Sequence, residues 1–114
     1  MIIKKLDEVR IATLEGYDRI TKQIVIGPDD GSNEIVLRYF SIEPGGASPH
    51  HTHNFPHLVK IETGSGIVTD SHGTEHQLRE GDFVYINDNE DHQFTNTGTQ
   101  PFGFVCIVPR RGEA

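Results

Sequence analysis

Tryptophan is absent from this chain, and cysteine and methionine occur once each. With Cys106 as the lone cysteine, no intramolecular disulfide can form. No apolar run approaches the ~20 residues of a membrane-spanning helix, and Met1-Ile2-Ile3 is far too short for a signal peptide core. Basic residues are few: ten Lys and Arg stand against seventeen Asp and Glu, for a formal charge of −7. They are scattered, and Arg110-Arg111 reads as part of a charged, solvated tail, so the basic face that nucleic acid requires is missing. These absences predict no nucleic-acid partner, no membrane and a cytoplasmic protein. Long 3.6-residue periodicity is lacking too, as is any repeat of fixed period.

What is present is a succession of short β-rich runs punctuated by twelve Gly and six Pro. A chain of 114 residues fits a single domain spanning 1–114. An opening strand is expected at Met1–Ile3, followed by an irregular segment to Gly16. Further runs lie at Lys22–Gly27, Glu34–Ile42, Leu58–Glu62, Ile67–Thr69, His76–Leu78, Phe83–Ile86, Gln93–Thr95 and Phe102–Val108. The turns between them are rich in Gly, Pro, Asp and Asn. Short strands at spacings of about 8 to 12 residues predict an all-β sandwich or barrel.

Histidine is the conspicuous residue. Of seven in the chain, His50, His51, His53 and His57 crowd into Gly45–Gly66, while His72 and His76 lie on a polar connection and His92 stands alone. One histidine in a Gly- and Pro-rich stretch is ordinarily a solvated loop residue. Three in the pattern H-x-H-x3-H, internal to the chain and so unlike an expression tag, make a metal-ligand pattern. Extended backbone places His51 and His53 on one side, about 6 to 7 Å apart along the chain. Pro56 makes a turn that can bring His57 back to them. A fourth nitrogen has to come from a distant strand, and His92 is the spare histidine with strand-like neighbours.

The two histidine blocks resemble the paired motifs of the cupin superfamily. In the first, Gly45 is followed by five residues, His51-Thr52-His53, three residues, His57 where glutamate is usual, six residues and Gly64. In the second, Gly81, His92 and Asn96 keep the family offsets, with Asn87 replacing proline and Asn89 replacing glycine. The second replacement is mild, because asparagine tolerates the left-handed conformation that glycine would supply. The resemblance implies a jelly-roll β-barrel, also described as a double-stranded β-helix. It further implies one divalent transition metal ion per chain at His51, His53, His57 and His92, in a four-histidine variant of the site. Manganese or iron is expected there, with zinc, nickel or copper also compatible with the donors. Ligation needs neutral imidazole, so metal-dependent stability is expected to fade below about pH 6.

Strand parity then selects a pocket. If His92 points inward, so does Phe94; Arg38 and Phe40 share one face of the longest strand, and Phe104 and Cys106 one face of the last. Arg38 among apolar neighbours requires an anionic partner, either a carboxylate or a substrate. The leading functional expectation is a metal-dependent oxidoreductase, dioxygenase-like and using O2 or peroxide, acting on a small anionic organic substrate. The alternative is a non-catalytic small-molecule binding or sensing module. A homodimer is expected, because the last strand is apolar on both faces and sheet edges need cover. The resemblance adds that the opening strand joins a partner's sheet.

Overall fold

The computed structural model describes residues 1–14, 17 and 19–113. Its strands, in chain order, are β1 (Ala12–Thr13), β2 (Ile20–Ile26), β3 (Ile35–Ile42), β4 (His57–Thr63), β5 (Ser65–Thr69), β6 (Glu75–Arg79), β7 (Phe83–Ile86), β8 (Gln93–Thr95) and β9 (Phe102–Pro109). Every pairing between them is antiparallel. One sheet runs β1-β2-β3-β9-β4-β7 and the other β6-β5-β8. The fold is the all-β jelly roll that the strand spacing and the histidine blocks predict.

Alternation sorts the side chains. On β3, Val36, Arg38 and Ile42 are buried; on β9, Phe102, Phe104, Cys106 and Val108; on β4, His57, Val59 and Ile61, with Leu58 and Lys60 exposed between them. The inner faces therefore interdigitate into one apolar core that Phe94 of β8 and Val68 of β5 enter from the smaller sheet. Fully burying one such aliphatic or aromatic side chain is worth roughly 1.5 to 3 kcal/mol. The outer face of the larger sheet carries a second apolar row. Tyr85 opposes Leu58, Leu58 opposes Ile107, Ile107 opposes Leu37, and Leu37 opposes Ile26. Tyr85 and Leu58 are 58% and 53% exposed, and Phe83 beside them is 75% exposed.

Turn chemistry follows the residues present. Gly64 has φ +74°, and a Cβ there would collide with the Pro101 carbonyl, so glycine is required at the one residue between β4 and β5. Asn89 sits at φ 62°, the left-handed position anticipated for it. Two expectations fail. Met1–Ile3 is no strand: these residues are exposed, and the first paired residues are Ala12 and Thr13. Among the described residues of this chain no strand pairs with the segment; a 3-10 turn at Leu6–Glu8 intervenes, and Gln23 Nε2 donates to the Leu6 and Val9 carbonyls. Residues 15 and 16 at the end of that segment lie outside the described residues. Nor is the stretch after β9 a free tail. Arg110–Glu113 forms a 3-10 turn, pinned where the Arg110 N–H donates to Glu34 O at 2.9 Å.

Candidate metal centre

The segment Gly46–His51 runs alongside β8 as an irregular extra strand, which is how the two histidine blocks meet. Asn96 N–H donates to Gly46 O at 3.0 Å and Ser48 N–H to Phe94 O at 2.8 Å. His51 and His92 exchange both backbone bonds, at 3.2 and 3.1 Å, in an isolated bridge. That pairing sets the two imidazoles side by side, with ring centroids 5.2 Å apart. His53, two residues on, has its centroid 4.2 Å from that of His51, and its carbonyl accepts from the Asn89 N–H at 2.6 Å. The left-handed Asn89 thus ties the turn before His92 to the loop carrying His53.

Donor nitrogens of His51, His53 and His92 all lie within 4.8 Å of one another. His57, the first residue of β4, is not part of this tight trio, but its ring centroid stands 5.1 Å from that of His92 and 5.3 Å from that of His53. Its Nδ1 is buried without a hydrogen-bond partner. His92 Nδ1 lies 2.9 Å from the Glu90 carbonyl, an arrangement in which Nδ1–H donates and Nε2 is left with its lone pair. Burial, followed by the charge of neighbouring histidines, lowers His51 to about 4. Burial also lowers His57 to about 3, with His92 and then Arg38 adding to it, and moves His53 in the same direction. At neutral pH these three imidazoles are unprotonated, the form that binds metal. Convergent neutral nitrogens together with an orphaned, buried Nδ1 fit a transition metal ion.

The histidines open into a cavity of about 170 Å³. Arg38, Phe40, Phe94, Phe104 and Cys106 line it with His51, His53, His57 and His92, so all nine residues singled out from the sequence border one space. Phe104 stacks on Phe94 at 4.7 Å and on Phe40 at 5.7 Å, building an aromatic wall across the two sheets. Arg38 Nη2 donates to Cys106 Sγ at 3.1 Å, and the guanidinium carbon lies 5.0 Å from the Phe40 ring centroid. Burial pushes the Cys106 thiol up, partly countered by Arg38. The partner of Arg38 is a carboxylate: Nη1 is 3.2 Å from Glu113 Oε1.

Lys22, Tyr17 and Ser48 also line the cavity, and Glu113 bridges Arg38 to Lys22 Nζ, 2.8 Å from its Oε2. None of these four was expected. Lys22 opposes Phe40 in the β2–β3 register, which only the pairing reveals. Glu113 had no signal at all, because a charged residue in a short basic stretch reads as solvent-facing.

Residues 38–108 match the family model of the cupin domain. The structure resembles that of the polyketide cyclase RemF from Streptomyces resistomycificus, with a TM-score of 0.91 and 24% identity over 96% of this chain and 80% of that one, a likeness of fold alone. A cupin-2 domain protein from Rhodospirillum rubrum is 25% identical, with a TM-score of 0.82 over 95% of this chain and 74% of that one. Among curated proteins, the 1-methylthio-D-xylulose 5-phosphate methylsulfurylase of Rhodospirillum rubrum is 29% identical over 92 residues, 81% of this chain. The chain spans only 57% of that relative's length. The family match runs from the inner face of β3 through both histidine blocks to β9, well over half of the sequence, and by it this chain belongs to the cupin family.

Proposed function

We propose that this cupin is a metal-dependent oxidoreductase, dioxygenase-like and using O2 or peroxide, acting on a small organic anion. His51, His53, His57 and His92 would hold one divalent ion, manganese or iron being the working metal. Such an ion, when bound, supplies Lewis-acid and redox chemistry while leaving coordination positions for substrate. The observation that carries the reading is the cavity wall. Among the described residues lining it there is no carboxylate, and once the four histidines are given to the metal only Tyr17 and Lys22 could serve as an acid–base pair. Proton-shuttling chemistry needs a positioned acid or base, so the site favours metal-centred chemistry.

The chain's own contribution is confinement and charge. Phe40, Phe94 and Phe104 make the wall beside the histidines apolar, and the low polarity they impose strengthens charge interactions near it. Arg38 and Lys22 supply positive charge opposite the imidazoles, which supports an anionic substrate. The phosphorylated sugar in the name of the curated relative points to the same charge class. The test is oxygen uptake by protein loaded with manganese or iron, over small enols, catechols and ketoacids. Turnover of at least one is expected. Binding without turnover across the panel would replace the enzyme with the non-catalytic binding module.

A cytoplasmic setting and a homodimer belong to the same proposal. Among the described residues no helix is long and apolar enough to cross a membrane. The single thiol is buried, and the apolar row on the outer sheet face supports a second copy packed against it.

A further inference from the structure

Lys22 and Arg38 are the only lysine or arginine side chains among the described residues lining the cavity. They come from adjacent strands, Lys22 standing opposite Phe40 and two residues from Arg38 in the β2–β3 register. Glu113 spans them with one oxygen each, at 2.8 and 3.2 Å, and the side chains of Lys22, Arg38 and Glu113 are only 18%, 10% and 13% exposed. The turn that delivers Glu113 is held by the Arg110 N–H on Glu34 O and by Arg110 Nη1 on the Glu113 carbonyl, both at 2.9 Å. Arg38, 8% exposed overall, still has a donor to spare, since its Nε is buried with no partner. A guanidinium presents a planar fork that matches a carboxylate through two parallel bonds. Glu113 takes only one of the Arg38 donors.

We propose that Lys22 and Arg38 form the cavity's recognition site for the carboxylate of a small organic ligand, and that Glu113 occupies this site as an internal surrogate which the ligand displaces. The exchange replaces one carboxylate by another, so the buried cations never lose their counter-charge. A ligand carboxylate in place of Glu113 meets the same two cation donors, Lys22 Nζ and Arg38 Nη1. Glu113 moves out with a single short turn, held otherwise by Arg110 on Glu34 and by Arg111 Nη2 on the Asn54 carbonyl at 3.4 Å. The inference rests on the enzyme reading only in making the ligand a substrate.

The test is calorimetric titration of the protein as purified with succinate, and separately with inorganic phosphate, metal content and thermal melting being measured on each sample. Wild type, Glu113→Gln and the double variant Glu113→Gln/Arg38→Gln are compared. Glu113→Gln is expected to bind succinate about tenfold or more tightly than wild type, a gain of about 1.4 kcal/mol or more, and the double variant to lose binding. Equal succinate affinity in wild type and Glu113→Gln, or binding that survives the loss of Arg38, overturns the proposal. Phosphate binding Glu113→Gln more tightly than succinate overturns the carboxylate assignment. Should the variants fail to fold, NMR of wild type decides: saturating succinate must shift the Arg38 Nε–H and the Glu113 side-chain carboxyl resonances, and unmoved signals refute displacement. Glu113-dependent succinate binding by protein found to hold no metal supports the site while counting against the enzyme. Turnover without any Glu113 dependence of succinate binding does the reverse.

Discussion

His57 shows how a single residue's surroundings set its protonation. Burial at the head of β4 lowers it to about 3, and burial lowers His51 to about 4. In the unfolded chain both return to about 6.5, so below that value the unfolded state binds more protons than the folded one. Stability from these two groups is therefore complete above about pH 6.5 and drains away as pH falls towards their folded values. Metal-free protein should lose on the order of a few kcal/mol across that window, with His57 the larger contributor because half-buried His51 is partly screened by solvent. Chemical denaturation at stepped pH checks this; a flat profile between pH 6.5 and 4.5 would refute it. The same lowering bears on the metal site. His51 and His57 are proton-free near pH 6, so protons should compete with metal for those two nitrogens only well below it. Competition with a chromogenic chelator reads this directly, and His53→Ala or His92→Ala should abolish metal uptake at every pH.

At the scale of elements, the joint between the end of β3 and the connection from β8 to β9 depends on Asn96. This residue is 2% exposed. Its Nδ2 donates to Ile42 O at 2.7 Å and Gln100 O at 2.9 Å, and its Oδ1 accepts from the Gly98 N–H at 2.8 Å. Asn96→Ala should cost about 1 to 3 kcal/mol, because the buried Ile42 carbonyl loses its partner while the part-buried Gln100 and Gly98 groups turn to water. Asn96→Asp should fare little better, since an oxygen would then face two carbonyls. A urea midpoint within error of wild type for either variant would show that the joint is held elsewhere. Much at this level was legible beforehand. Fixed offsets placed His51, His53, His57, His92 and Asn96, and period-two parity put Arg38, Phe40, Phe94, Phe104 and Cys106 on inner faces. What escaped depends on contacts distant in sequence. Lys22 enters the cavity through the β2–β3 pairing, and Glu113 through a turn whose anchor, Glu34, lies on the far side of the chain. The opening residues differ for another reason: Met1-Ile2-Ile3 has strand-like composition but pairs with no described strand of its own chain.

For the whole molecule, the apolar row from Tyr85 through Leu58, Ile107 and Leu37 to Ile26 is the surface most in need of cover. If a second copy supplies it, sedimentation at micromolar concentration should report a dimer, and the pair Leu58→Lys and Tyr85→Lys should dissociate it without unfolding the chain. A wild-type monomer would leave that face without a partner of its own kind. A different consequence follows from where the charges lie. The chain carries −7 in all, yet among the described residues the charged side chains that line its cavity are Lys22 and Arg38, two cations against the single carboxylate of Glu113. An anion therefore climbs a repulsive field before it reaches an attractive one. Salt collapses the outer field within a Debye length of about 10 Å at 0.1 M, while it screens a half-sequestered cation pair much less. Entry of a small anion should accordingly quicken as ionic strength rises from low values, the reverse of ordinary electrostatic steering, and more steeply for a dianion than for a monoanion. Stopped-flow rates that fall with salt from the outset would mean that the inner cations, not the acidic exterior, govern the approach.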